Sequence, residues 1–154
     1  MIKHLYNLFI FFLDIYISIS SLIYNKSKRI KRGRNKSFKY IEENISKKDK
    51  TILIHVASVG EFEQSKPIIK SLKENFSYKI ILTHFSSSTE SSVSKFKLID
   101  YSFYMPSDKA NHMSKMINMI TPNVIILIKY EFWRNLIYFA KEKSIPVISI
   151  SSTF

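Results

Sequence analysis

Cysteine is absent from the 154-residue chain, which excludes a disulfide scaffold, a thiolate zinc site and a cysteine nucleophile. Glycine occurs only twice. With no G-x-G-x-x-G and no P-loop pattern, a dinucleotide or triphosphate site has no support. The four histidines (His4, His55, His84, His112) are scattered, with no pair at metal-ligand spacing, so no metal centre is expected. Acidic residues are the scarcer charge: 12 Asp and Glu face 24 Lys and Arg, a net charge of +12. Such an excess points to an anionic partner, whether a membrane face, a phosphorylated substrate or nucleic acid. What the chain has in quantity is apolar surface. At 45% hydrophobic and 23% charged residues it is globular, not a disordered tail, and its length suits one domain.

Residues 5–24 read LYNLFIFFLDIYISISSLIY, about the length of a helix that crosses a hydrocarbon core. A secretory signal fits poorly, because Lys3 is the only basic residue before the run and the positive charge follows it. His4, Asn7, Asp14, Ser18, Ser21 and Asn25 fall, at about 100° per residue, within one stripe roughly 100° wide. Aspartate in the middle of a lipid-facing span would cost at least about 2.5 kcal/mol. On an interfacial helix, or one packed on protein along that stripe, it costs little. The expectation is an interfacial or shallowly inserted anchor over residues 1–25, with a true span as the alternative.

A basic block follows, expected as a linker over residues 26–50. It carries Lys26, Lys28, Arg29, Lys31, Arg32, Arg34, Lys36 and Lys39 without an acid. Basic residues beside a hydrophobic helix mark the cytoplasmic side and attract anionic lipid; Lys28, Arg29, Lys31, Arg32 and Arg34 are the candidates for that contact. A solvated linker is the plain alternative. Nucleic acid is not expected as a partner, since no base-stacking aromatics are interleaved here.

From residue 51 short apolar runs alternate with amphipathic stretches. Strands are expected at 51–58, 78–85, 99–105, 124–128 and 146–151. Helices are expected after Gly60 through Lys73, interrupted or kinked near Pro67, up to about Phe96, at 110–120, and over 132–143. This alternation specifies an α/β fold, a parallel sheet with helices on both faces. Ligands in such sheets sit beyond the carboxyl ends of the strands. After the first strand comes Ala57-Ser58-Val59-Gly60-Glu61, where Gly60 permits a tight turn. Glu61 is either an acid offsetting a helix dipole or a carboxylate held at the ligand edge as a general base. After the fourth strand comes Lys129-Tyr130-Glu131-Phe132-Trp133-Arg134, a second acid beside the only tryptophan.

These segments resemble the Kdo transferases, which move 3-deoxy-D-manno-octulosonic acid from CMP-Kdo to the lipid A precursor. His55-Val56-Ala57-Ser58-Val59-Gly60-Glu61 is similar to their H-x-x-S-V-G-E signature, and Tyr104-Met105-Pro106-Ser107-Asp108 to their Y-x-P-x-D segment. Pro122, the apolar strand and Lys129 to Trp133 resemble their second acidic motif. The resemblance implies the N-terminal half of a GT-B glycosyltransferase, Rossmann-like over 51–154, with a C-terminal donor domain for CMP-Kdo absent and the isolated chain inactive. It implies Glu61 as proton acceptor, Glu131 as transition-state stabiliser, and Ser58, Gly60, Lys129 and Trp133 as acceptor-site candidates. Inversion at the anomeric carbon, no metal or other cofactor, and a place on the cytoplasmic face of the inner membrane are also implied. Arg134 departs from the family's proline, and Ser86-Ser87-Ser88-Thr89 lacks its usual Pro and Gly. A non-catalytic membrane-bound relic or binding module of the same fold is the alternative function.

Overall fold

A computed structural model of the chain describes residues 2–129 and 132–150. The five strands are β1 (Thr51–Val56), β2 (Lys79–His84), β3 (Tyr101–Tyr104), β4 (Val124–Ile128) and β5 (Val147–Ile150). They form one parallel sheet in the order β3-β2-β1-β4-β5. The order reverses between β1 and β4, so the topological switch point lies where those two strands end side by side.

The side chains of the strands divide by the two-residue period of a strand. Ile52, Ile54, Val56, Ile80, Leu82, Ile126 and Ile128 face helices α3 (Val59–Asn75) and α4 (Ser87–Val93), where Phe62, Ile69 and Val93 meet them. Leu53, Ile81, Ile125 and Leu127 face the other layer, made by α2 (Asn25–Asn44), α5 (Ala110–Ile120) and α6 (Arg134–Glu142). Phe62 is wholly buried, and a side chain of that kind contributes about 1.5–3 kcal/mol. Helices therefore cover both faces, as the alternation predicts. The interruption expected as one alternative near Pro67 does not occur: α3 runs through that residue. Both Pro67 and Glu63, whose carbonyl loses its bond to the missing N–H, are exposed, so water can satisfy the carbonyl.

The N-terminal region differs more from expectation. The basic stretch expected as linker is mostly helix α2, packed on the sheet by Ile41 and Ser37. The reason is legible in its spacing. Gly33, Ser37 and Ile41 recur every four residues, a narrow inward stripe that lets the helix approach closely. Ser37 Oγ donates to the Tyr104 carbonyl at 2.6 Å, and Gly33 lies directly against the Tyr104 ring. A Cβ at Gly33 would sit 2.5 Å from Tyr104 Cγ and 2.6 Å from its Cε2. Helix propensity alone would favour Gly33→Ala by about 1 kcal/mol. The collision reverses the sign, and a net loss of about 1–3 kcal/mol is expected from overpacking. Urea unfolding measures it; a Gly33→Ala chain at least as stable as the parent would contradict the packing.

Helix α1 (Ile2–Ser20) ends in a turn before α2, so the apolar run of residues 5–24 is not one helix. Among the described residues no helix is long and apolar enough to cross a membrane, which removes the spanning alternative. The polar stripe of α1 faces protein. Asn7 Oδ1 accepts from Asn135 Nδ2 at 2.9 Å. Asp14 is met by Arg34 Nη1 at 3.2 Å, Ser107 Oγ at 2.7 Å and Lys109 Nζ at 2.8 Å. Leu5, Leu8, Phe9, Phe12, Tyr16 and Ile19 face outward, each at least half exposed.

Candidate functional site

β1 and β4 are adjacent and parallel, so the segments following them leave the sheet at the same edge. Ser58 ends the strand connection as the N-cap of α3, and its Oγ accepts from the Glu61 N–H at 3.3 Å. Glu61 reaches back. Its Oε2 accepts from the Ala57 N–H at 2.5 Å and its Oε1 from the Ser58 hydroxyl at 3.2 Å. Ser58-Val59-Gly60-Glu61 is thus a variant of the capping box: Ser58 Oγ accepts from the Glu61 N–H, while the Glu61 carboxylate accepts from the N–H of Ala57, one residue before the cap, in place of the cap's own N–H. The tight turn expected at Gly60 is not there. Gly60 is the second residue of α3, neither glycine has positive φ, and a Cβ on Gly60 would meet only Ser58 Oγ, at 3.9 Å. Its bare backbone leaves open space beside Glu61.

Ala57 lines a cleft of about 310 Å³ between α1 and this edge of the sheet. Tyr6, Ile10 and Leu13 of α1 form one wall, and Phe85, Phe132 and Trp133 line it from the sheet side. Trp133 is the N-cap residue of α6 and packs edge-on against the buried His55 ring, 4.7 Å between centroids. His55 itself is 3.0 Å through Nδ1 from Thr83 Oγ1. Lys129 follows β4 in a left-handed conformation (φ 62°), its N–H donating to the Ile150 carbonyl at 2.7 Å. Glu131, the second expected acid, lies outside the described residues, as does Tyr130. Among the described residues no three His, Asp or Glu side chains are grouped as a metal set would need.

Sequence reasoning missed how the cleft is held together. Asp108 is 2% exposed. It accepts from the backbone N–H groups of Asn135 and Leu136, both at 3.0 Å, and from the Tyr6 hydroxyl at 2.5 Å. The carboxylate therefore caps α6 from a distant loop, where Trp133 supplies no side-chain cap, and ties α1 to the same point. Burial pushes the Asp108 carboxyl above the ordinary carboxylate range, against the lowering effect of the Tyr6, Asn135 and Leu136 bonds. The folded chain then keeps that proton to higher pH than the unfolded one, so this group's share of stability declines as pH rises through that window. Burial also raises the Tyr6 phenol, reinforced by Asp108.

The five basic residues expected to act as one lipid-binding block are divided by the helix they lie on. Lys28 and Arg32 are exposed, and Arg29 pairs with Glu90 at 2.7 Å. Arg34 turns inward, its side chain 11% exposed, with its guanidinium 4.9 Å from the Phe85 ring centre. His84, at the end of β2, is pushed down to about 4 by burial and is neutral at neutral pH.

Comparison with known proteins bears on the same segments. The aligned parts are similar to a 3-deoxy-D-manno-octulosonic acid transferase of Aquifex aeolicus (34% identity over 95 residues, 61% of this chain and 26% of the relative). They are also similar to the transferase of that name from Haemophilus influenzae (29% over 99 residues, 63% and 23%). A bifunctional glycosyltransferase/methyltransferase of Fusobacterium nucleatum is 28% identical over 109 residues, 68% of this chain and 17% of that protein. The chain thus matches about a quarter of the length of the first two relatives. The family model of 3-deoxy-D-manno-octulosonic-acid transferase (kdotransferase) matches residues 29–154. That match takes in every strand and most of α2, and on it the chain belongs to the 3-deoxy-D-manno-octulosonic-acid transferase family.

Proposed function

We propose that this chain is the acceptor-binding part of a glycosyltransferase of lipopolysaccharide biosynthesis, moving Kdo from CMP-Kdo to the lipid A precursor. The observation that carries the reading is the placement of Glu61, whose carboxylate is fixed at the switch-point edge beside the cleft. A sugar hydroxyl of the acceptor attacks the anomeric carbon of Kdo, the bond to CMP breaks, and CMP leaves with that electron pair. The hydroxyl proton passes to Glu61 as the new bond forms, because a free carboxylate is too weak a base to remove it beforehand. Two of the carboxylate's roughly four lone-pair directions are used in the capping box, which leaves others for this proton. Attack opposite the leaving group inverts the anomeric carbon. In this reading Glu131 stabilises charge in the transition state, Ser58, Gly60, Lys129 and Trp133 border the acceptor, and no metal is required.

The reading is tested by joining the whole chain to the donor-binding domain of a related transferase and assaying Kdo transfer from CMP-Kdo to the lipid A precursor. Transfer by the joined protein and none by the chain alone is expected. A fusion that folds, binds CMP-Kdo and transfers nothing would contradict it. A second reading, a non-catalytic binding module, is favoured by one observation: the capping box accounts for both oxygens of Glu61 without any catalysis.

The outward face of α1 supports a place on the cytoplasmic side of the inner membrane. Contiguous exposed apolar surface of this kind marks an interaction site, and an interfacial helix buries it among the headgroups. The adjoining exposed Lys28 and Arg32 suit anionic lipid. Flotation with liposomes containing anionic lipid is expected for the parent chain, and loss of most of it for the pair Phe9→Gln and Phe12→Gln. Undiminished flotation of the double variant would remove α1 as the anchor.

A further inference from the structure

A groove of about 330 Å³ lies between α2, β3 and α4. It shares no lining residue with the apolar cleft, and no step of the Kdo transfer proposed above uses it. His84 lines it from the end of β2, with 3% of its surface exposed. The ring's Nδ1 is 3.3 Å from the Ser86 carbonyl. A carbonyl can only accept, so Nδ1 carries the proton and Nε2 of the neutral ring is an acceptor. Among the described residues no hydrogen bond reaches that Nε2. An acceptor of a buried side chain left without a partner calls for a donor from outside the protein.

A second free acceptor stands in the same groove. Glu90 takes the Arg29 guanidinium at 2.7 Å and the Tyr104 hydroxyl at 3.1 Å, both on Oε2. Among the described residues nothing donates to its Oε1. Tyr104 holds the two acceptors in place. Its ring centre is 4.2 Å from that of His84, and its hydroxyl is the one that binds Glu90. Since Tyr104 is itself wedged against Gly33 of α2, the pair is set before any ligand arrives. From α2 the Tyr40 hydroxyl borders the groove; it accepts from the Ser102 N–H at 3.4 Å and keeps its own proton to donate.

We propose that this groove binds a neutral sugar, whose hydroxyls donate to His84 Nε2 and Glu90 Oε1 while another oxygen accepts from Tyr40. The charges decide the class of ligand. Arg29 balances Glu90 and Lys36 adds a cation, so no surplus negative charge is left to hold a metal ion or an amine. An anion would meet two lone pairs where it needs donors. A neutral molecule rich in hydroxyls brings donors without charge, and the aromatic side chains of Tyr40 and Phe103 give its C–H groups an apolar wall. The inference does not depend on what the cleft binds.

The test is nuclear magnetic resonance of the full chain, isotope-labelled at histidine nitrogen, in a detergent without a sugar headgroup. Glucose, galactose, mannose and N-acetylglucosamine are titrated in, with magnesium chloride and inorganic phosphate as charged comparisons. At least one sugar should shift the Nε2 resonance of His84 at millimolar concentration, while magnesium and phosphate leave it in place. Glu90→Gln should weaken that sugar about tenfold, the scale of one charge-assisted hydrogen bond. Glutamine can still take the Tyr104 proton through its oxygen, but presents an amide donor where the free acceptor was. Glu90 is exposed, so this variant keeps the fold. Tyr40→Phe, which removes a neutral donor, should weaken the sugar about fivefold. No shift with any of the four sugars overturns the proposal. So does parental affinity in both variants, which would put the sugar elsewhere, or a shift produced by magnesium or phosphate and by no sugar.

Discussion

Glu61→Gln, introduced into the chain joined to a donor-binding domain, should lower the rate of Kdo transfer roughly 10²–10⁴-fold, the range for loss of a general base. The substitution separates catalysis from capping. Glutamine at this position still accepts from the Ala57 N–H, and Gln is as proper a third residue of a capping box as Glu. Helix α3 should keep its start, and thermal stability should change little. Acceptor affinity should also hold, because the carboxylate acts on a proton that moves only during bond formation. The measurement is the rate at saturating acceptor and CMP-Kdo, with binding followed separately. Turnover equal to the parent would leave Glu61 as a capping residue alone, and the binding-module reading would stand in its place.

Asp108→Ala should destabilise the chain by about 3–5 kcal/mol, since several buried donors lose their partner together. The N–H groups of Asn135 and Leu136 and the hydroxyl of Tyr6 all point to this one carboxylate. Asp108→Asn keeps one acceptor oxygen and should cost less, about 1–2 kcal/mol. Because the same group holds α6 and α1, fluorescence of Trp133 should report the loosening of the cleft before global unfolding. The urea midpoint decides the magnitude. A cost below about 1 kcal/mol for Asp108→Ala would mean that water replaces the carboxylate without penalty.

The strands were the most legible part, for a physical reason. Buried on both faces, β1 and β4 are nearly continuous runs of branched aliphatic residues, and such runs have few alternatives. Met113, Met116, Ile117 and Ile120 at helical spacing likewise placed α5, and all four are buried in the core. The charge of residues 26–39 concealed a helix, because composition outweighed the four-residue spacing of Gly33, Ser37 and Ile41. The polar stripe of α1 was visible, but what it faces was not: Asp14 meets groups from α2 and from the loop before α5. Long-range partners of this kind leave no local pattern. Tyr6 and Asp108 are 102 positions apart, and nothing near either names the other. Glu61 could be placed at the sheet edge from its motif, whereas its capping geometry needed the backbone of Ala57.

Helix α1 turns its apolar face outward while Tyr6, Ile10 and Leu13 wall the cleft. With that outer face seated among headgroups, as proposed above, the distance from lipid to cleft is one helix thickness, about 10 Å. A lipid-borne acceptor would then lift its sugar past a single helix while its acyl chains stayed in the leaflet. Encounter becomes a search in two dimensions, and the quantity that sets its frequency is acceptor molecules per unit of membrane area, not their concentration in the cytosol. The soluble sugar nucleotide would arrive from the opposite, aqueous side, so that the two substrates need never compete for one entrance.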